Sequence, residues 1–454
     1  MEDIFDLAII GGGPAGYNSA ERAAQNGLKA VVFETNRLGG VCLNEGCIPT
    51  KTMLHTAKLL DNARDANKYG LIIPEASFDY PAIYNRKNKV IDTLVNGVTM
   101  RLKKHQVTVV NQKANITGKS NGNINVEAGG KNYQARNLMI ATGAAPFIPP
   151  IPGLQRKNIL TSKEILDLQE APESLVVIGG GYIGLEFGSF YRSLGTEVTV
   201  IEMLDEITPG MDKEIAAHLR KDLIKRGITI HLQTKVVEMQ GKKVIAEKNG
   251  ERLEIEASEV LVSVGRRPNV EGFGLENLGV LLENGAIKTN DKLQTNIPNV
   301  FAAGDVNGKS LLAHTAYREG EVVVNQLAGR QDRMRYHAIP GVIYTNPEVA
   351  SVGITEVQAQ KSGMDYEVKK LPMAYSGRFI AENEGKQGHC KIIVNKKYNQ
   401  IVGIHMIGGV CSEMIYGAAQ MIESEFRLQD AEEVIFPHPT VSEVIKETIF
   451  AFKD

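Results

Sequence analysis

Leu7-Ala8-Ile9-Ile10-Gly11-Gly12-Gly13-Pro14-Ala15-Gly16 opens the first motif of the chain. Four apolar residues without a polar break read as a parallel strand buried on both faces. The glycines Gly11, Gly13 and Gly16 lead into a helix-like stretch from Tyr17 to Asn26. A second apolar run, Ala30-Val31-Val32-Phe33, ends at Glu34. This is the pattern of a βαβ unit that holds a dinucleotide. The first glycine permits the tight turn, the second lets the backbone approach a pyrophosphate, and the third lets helix and strand pack closely. Free N–H groups at the helix start attract the phosphates. The acid at the second strand end accepts hydrogen bonds from a ribose diol.

Working outward, the pattern recurs. Val176-Val177-Ile178 feeds Gly179, Gly181 and Gly184, and the next strand, Val198-Thr199-Val200-Ile201, ends at Glu202. Glu34 lies 23 residues after Gly11, and Glu202 lies 23 residues after Gly179. A glycine-rich turn can occur by chance in any α/β sheet. Two with the same spacing and an acid at the same place imply two nucleotide cofactors that exchange electrons. Glu202 suits an unphosphorylated ribose and repels a 2′-phosphate, and Met203-Leu204-Asp205-Glu206 add no positive charge. NAD is therefore expected over NADP.

Between the copies lies Gly39-Gly40-Val41-Cys42-Leu43-Asn44-Glu45-Gly46-Cys47-Ile48-Pro49-Thr50-Lys51. A dithiol directly after the first nucleotide unit implies that this cofactor is a flavin, which can exchange electrons with both a nicotinamide and a thiolate. Pro49 suits the first turn of a helix. That puts Cys47 near a helix N-terminus with Lys51 close by, and both favour thiolate. Two other readings stay open, namely half of a metal site and a pair of inert thiols. His55 has no clear companions for a metal site, and none is expected. Cys390 and Cys411 have no partner at a telling spacing and read as packing residues.

Composition sets the outer bounds. A chain of 454 residues should form two to four domains. Lys+Arg number 51 against 53 Asp+Glu, for a net charge of −2, so neither nucleic acid nor an anionic membrane is expected as partner. No apolar run is long enough to span a bilayer. The start Met1-Glu2-Asp3 runs straight into a strand and leaves no room for a signal peptide. Four cysteines do not make a disulfide framework, so a cytoplasmic setting is expected.

Across its whole length the chain resembles the pyridine nucleotide–disulfide oxidoreductases, and within them the dihydrolipoamide dehydrogenases. Gly39 to Lys51 is similar to that family's active-site signature. Further matches follow in the family's order: Ala141-Thr142-Gly143, Gly265-Arg266-Arg267-Pro268-Asn269, Ala303-Gly304-Asp305, Ile343-Tyr344-Thr345-Asn346-Pro347-Glu348 and His438-Pro439-Thr440-Val441-Ser442-Glu443. The resemblance implies FAD at Gly11, Gly13, Gly16 and Glu34, with Gly304 and Asp305 at its ribityl–phosphate region. It makes Thr142 and Gly143 the turn where the chain leaves the FAD domain. Lys51 would stand near flavin N5 with Glu186 as its pair, and Gly179, Gly181, Gly184 and Glu202 would hold NAD. Cys42 would exchange with substrate sulfur, while Cys47 would be the thiolate beside the flavin. His438 and Glu443 would be an acid–base pair supplied by the opposite subunit of a homodimer.

The implied fold class is α/β, with two Rossmann-like FAD- and NAD-binding domains and a C-terminal α+β dimerisation domain. Expected bounds are 1–149 for the FAD domain and 150–268 for the NAD domain. A central segment, 269–337, completes the FAD domain, and the interface domain spans 338–454. Alternation at His389-Cys390-Lys391-Ile392-Ile393-Val394 points to an antiparallel sheet there. The implied activity is oxidation of dihydrolipoyl groups by NAD⁺. The implied partner is the lipoyl-bearing subunit of a 2-oxoacid dehydrogenase or glycine cleavage complex. The alternative is a related NADH-dependent reductase of another small disulfide.

Some positions depart from the family or admit two readings. Phe436 stands where many relatives have a further histidine, and Glu45 is charged where a small or apolar residue is common. Tyr182 reads equally as a lid residue and as a core aromatic. Glu443 could simply complete a capping box with Thr440.

Overall fold

The computed structural model describes residues 4–453. The start Met1-Glu2-Asp3, which carries the expectation of no signal peptide, lies outside the described residues. The chain divides into two compact units. One takes the chain up to Thr52, with 84–147 and 265–335. The other takes 53–83, 148–264 and the chain from Tyr336 onward.

The first unit is built on a mixed sheet. In spatial order its main strands are Thr108–Val110, Ala30–Phe33, Ile4–Ile10, Lys131–Ile140, Asn123–Ala128 and Ala114–Ser120. Val300–Ala302 also pairs with Lys131–Ile140, in parallel. That long strand serves two purposes. Its first half pairs antiparallel with Asn123–Ala128. Its second half runs parallel to Ile4–Ile10. Ala30–Phe33, Val300–Ala302 and the Leu7–Ile10 half of the first strand are buried on both faces, which is why they read as unbroken apolar runs, whereas the edge strand Thr108–Val110 is half-buried. Phe5, Ala8, Ile10, Val31, Phe33, Leu138 and Val300 form the core with Ile116, Ile124 and Val126 of the antiparallel part.

The second unit contains a four-stranded parallel sheet in the order Ile228–His231, Glu197–Ile201, Ser174–Ile178, Glu259–Val262. It also contains a five-stranded antiparallel sheet in the order Gly341–Ile343, Glu348–Gly353, Gln400–Gly408, His389–Asn395, Tyr366–Pro372. The antiparallel sheet expected around His389–Val394 is thus present. Cys390 and Cys411 are both buried in its core, as packing residues would be. Lys391 is an exception in that apolar strand. It is 2% exposed, and its ammonium lies 2.6 Å from Glu356 and 3.1 Å from Asp212. No helix among the described residues is long and apolar enough to cross a membrane.

Candidate active site

Each glycine-rich turn is closed by the protein itself at two of its three glycines. A methyl on Gly11 would collide with the carbonyl oxygen of Ala141, and one on Gly16 with the carbonyl of Gly11. Gly179 and Gly184 meet the same obstacles, from Ser263 and from Gly179. The middle glycines differ. Gly13 and Gly181 have ordinary extended backbones. A methyl there would come no closer than 3.7 Å to Gly40 and 3.9 Å to Ser263. Neither strain nor packing within the chain requires glycine at these two positions, so the space they leave open fits a ligand's phosphates. The helices Pro14–Gln25 and Tyr182–Ser193 start there with no side-chain cap and no acid in their first turns. Their leading N–H groups therefore remain for an anion. Helix Pro14–Gln25 begins three residues before the expected Tyr17, because Pro14 suits the first helical position.

The two acids occupy equivalent places. Glu34 accepts from the backbone N–H of Gly12 at 2.8 Å and of Asn36 at 2.9 Å. Glu202 accepts from Gly180 at 2.7 Å and Leu204 at 2.8 Å. Both carboxylates are thus aimed over their turns.

The thiol segment is fastened to the first turn. The Gly39 N–H donates to the Gly12 carbonyl at 2.8 Å. Gly40 lies so near Gly13 that a side chain on it would come within 2.6 Å of the Gly13 Cα. Cys42 sits in a short helix, Gly40–Asn44, and Cys47 is the first residue of the helix Cys47–Arg64. Both are free thiols, and the two side chains are hydrogen-bonded to each other. That contact, together with burial, pushes the Cys42 thiol far above its ordinary range, with Lys51 opposing. A thiol so placed needs a base before it can react.

Within the same unit, Asp305 follows Gly304 at the end of strand Val300–Ala302. Burial raises its carboxyl pKa and Arg266 opposes the shift, with its guanidinium 3.9 Å away. The loop is held by Glu319, which is fully buried and accepts from the Gly304 N–H at 2.6 Å and from Asn307 at 2.9 Å. Thr142 and Asn269 exchange hydrogen bonds at 2.7 and 2.9 Å. They tie the turn at Gly143 to the returning chain. Arg266 was read from the sequence only as part of the stretch Gly265–Asn269, without a role at the site, and Asn307 and Glu319 were not picked out. A signal existed for Glu319, which shares the buried stripe Ala316, Gly320, Val323 of helix Ala313–Leu327. Tyr17 and Tyr317 were also missed. Their hydroxyls meet at 2.5 Å although 300 residues separate them.

In the second unit, Glu186 is buried and accepts from the Tyr344 N–H at 3.0 Å. Tyr182 packs, half-buried, against a core that includes Leu185 and Ile343, and Phe436 packs against the core of the antiparallel sheet. His438 Nδ1 lies 2.9 Å from Glu443 Oε1. The histidine is 79% exposed and the glutamate 17%. The other glutamate oxygen accepts from the Thr440 N–H at 3.0 Å. The capping box expected with Thr440 is not formed, because the helix begins only at Glu443, with Ser442 as its cap residue and no side-chain cap, and Glu443 is left to orient the histidine. Its carboxyl pKa is lowered first by His438 and then by Thr440. Nδ1 is engaged by Glu443, while the imidazole as a whole stays largely exposed.

Comparison with known proteins agrees with this chemistry. Residues 5–320 match the family described as pyridine nucleotide-disulphide oxidoreductase, and 339–449 match its dimerisation domain. The chain is 39% identical over 476 residues to the dihydrolipoyl dehydrogenase of Rhizobium etli, covering 99% of this chain and 98% of that one. It is 36% identical over 449 residues to a dihydrolipoyl dehydrogenase of Bacillus subtilis, covering 98% of each. Among solved structures, LpdA from Mycobacterium tuberculosis superimposes with a TM-score of 0.90 at 25% identity, covering 99% of this chain and all of that one.

Proposed function

The chain belongs to the pyridine nucleotide-disulphide oxidoreductase family, and we propose that it oxidises dihydrolipoyl groups to lipoyl disulfides, with NAD⁺ as final acceptor. The observation that carries this reading is the dithiol segment fastened directly onto the first glycine-rich turn. FAD, bound at that turn, supplies the two-electron relay between dithiol and nicotinamide.

The chain's own residues account for the sulfur chemistry. His438 Nε2 takes a proton from a substrate thiol while Glu443 holds the ring by Nδ1. The substrate thiolate attacks Cys42 of a Cys42–Cys47 disulfide. The bond between the cysteines breaks and Cys47 leaves as thiolate. The second substrate sulfur then closes on the first, releasing Cys42. The substrate loses two electrons and two protons, one proton to His438 and one to the departing Cys42, and the cysteine pair gains the electrons. We assign Lys51 to the charge environment of the flavin, and Asp305 to its ribityl–phosphate region. Glu186 is assigned to the same centre, and Gly179, Gly181, Gly184 and Glu202 to NAD.

His438 is exposed and lies in the part of the chain that matches a dimerisation domain. We therefore read the working form as a homodimer in which each subunit lends its His438–Glu443 pair to the other. On this reading the chain serves a lipoyl-bearing subunit in the cytoplasm. Its parts are an FAD domain at 1–149, an NAD domain at 150–268, a central segment at 269–337 and an interface domain at 338–454.

A steady-state assay of the flavin-loaded protein tests this. Dihydrolipoamide with NAD⁺ should turn over quickly, and NADP⁺ should serve poorly. Turnover with glutathione disulfide or another small disulfide, and none with lipoamide, would overturn the substrate. Full activity in protein that stays monomeric would overturn the shared site.

A further inference from the structure

One buried charge of the second unit has no part in the sulfur chemistry. Lys391 lies in the strand His389–Asn395, among apolar neighbours. Its ammonium reaches three carboxylates, Glu356 at 2.6 Å, Asp212 at 3.1 Å and Glu214 at 3.2 Å. Burial works against its charge, but Glu356 and Asp212 outweigh burial and raise its pKa. Such a buried cluster gains little over well-packed apolar side chains. It does fix one arrangement, because a shifted partner would leave a buried charge unpaired. Lys391 therefore dictates where Asp212 sits.

Asp212 is buried too and caps the helix Lys213–Lys225, accepting from the N–H groups of Glu214 at 3.1 Å and Ile215 at 3.3 Å. The segment before it, 203–211, runs from Glu202 across the second glycine-rich turn. There the Thr208 N–H donates to the Gly180 carbonyl at 2.8 Å, and the Met211 N–H donates to the Thr208 carbonyl at 3.1 Å. Thr208 has a φ of +54°, a left-handed backbone that β-branched residues rarely take. It is buried, and its hydroxyl has no hydrogen-bond partner among the described residues. A conformation of that kind persists only where its surroundings hold it. Gly180 holds the segment in the middle. At its end the segment is held by Asp212, and Asp212 by Lys391.

We propose that Lys391 is a positioning residue for the nicotinamide cofactor: through Asp212 it holds the strained segment 203–211 across the second turn, and so keeps Glu202 and the Gly180 backbone in place for the dinucleotide. Lys391 stands in the stretch that matches a dimerisation domain. The antiparallel sheet then helps to build the NAD site as well as an interface. This rests on the assignment of NAD to the second turn.

The test compares Asp212→Asn, and Lys391→Met combined with Asp212→Asn, with the unsubstituted, flavin-loaded protein. Asparagine caps a helix about as well as aspartate, so the single change weakens the tie and spares the helix start. The double change leaves neither partner of the buried pair charged. NADH binding, followed by fluorescence titration, should weaken about tenfold in the double variant and less in the single one. The KM for NAD⁺ should rise with it while kcat holds. Amide exchange at Thr208 should become faster in the variants. Reduction of the flavin by dihydrolipoamide, with NAD⁺ left out, should keep its rate. Unchanged NADH affinity, or unchanged exchange at Thr208, overturns the proposal. An equal loss in flavin reduction also overturns it, as does a change of oligomeric state, since either makes Lys391 a matter of general packing. If the double variant does not fold, Asp212→Asn is read alone by the same criteria, and failure of both to fold overturns the proposal as well. If the unsubstituted protein binds no NADH, the NAD assignment itself fails, and the proposal with it.

Discussion

At Gly11 and at Gly179 the backbone takes almost the same φ, +107° and +104°. In each copy the N–H of that glycine donates to the end of the second strand at 2.9 Å, and a later segment donates to the carbonyl of the following glycine at 2.8 Å. In the first copy that later segment is Gly39, which leads into the cysteines. In the second it is Thr208. Beyond it, Lys213 pairs with Asp205, and Arg220 grips Glu206 at 2.8 and 3.1 Å. Lys213 and Arg220, the first lysine and arginine to follow Glu202 in the sequence, are thus already matched, which agrees with an unphosphorylated ribose. The turn is a general device for a dinucleotide. The chemistry comes from whatever segment is fastened across it.

The largest expected effect is at that fastened segment. Cys42→Ser or Cys47→Ser should lower dithiol turnover by about a thousandfold or more, while NAD binding to the second copy, followed by fluorescence titration, stays as it was. A loss of NAD binding in the serine variants would mean that the copies are not independent. Next come the middle glycines. Gly13→Ala should weaken flavin retention, and Gly181→Ala should raise the KM for NAD⁺. Each should change by about 10- to 100-fold, the scale of one lost hydrogen bond to a charged group. Neither should lower the thermal midpoint at saturating cofactor. If one of them does, the chain's own packing needs that glycine and the equivalence of the two copies breaks.

The smallest expected effect concerns the helix Ala313–Leu327 of the first unit. Asp332 receives a two-point grip from Arg318 at 2.6 and 2.8 Å, and Asn325 adds a bond at 2.7 Å. These contacts lower its carboxyl pKa to about 2, with Arg318 the main cause. A depressed carboxyl favours the folded state above its unfolded pKa and stops doing so as pH falls through the folded value. Asp332→Asn should therefore cost about 1–2 kcal/mol at neutral pH. The thermal midpoints of variant and parent should converge as the pH approaches about 2. A gap that persists in acid would point to shape rather than charge.

Much of the site could be read before any coordinates, because its signals are local. Gly11 to Glu34 and Gly179 to Glu202 each carry strand, turn, helix and acid within one short stretch. Cys47 and Pro49 announce a helix start in the same way. What escaped depends on distant pairs. No local pattern joins Tyr17 to Tyr317, or Arg266 to Asp305. Nor does the segment 53–83 show in its sequence that it packs with the second unit. Lys391 looks like an ordinary polar interruption of a strand until Asp212, Glu214 and Glu356 are seen around it. Burial of a charge is decided by its partners, and partners far away in the chain are invisible to periodicity.

The hydrogen bond from Gly39 to Gly12 has a consequence for how the protein matures. The turn that cradles a phosphate and the segment that presents Cys42 share this bond and the close approach of Gly40 to Gly13. Whatever orders one orders the other. Binding of a nucleotide at the turn should therefore also steady the dithiol segment as the chain matures, to be read as slower amide exchange at Gly39 and Gly40 when the cofactor is added.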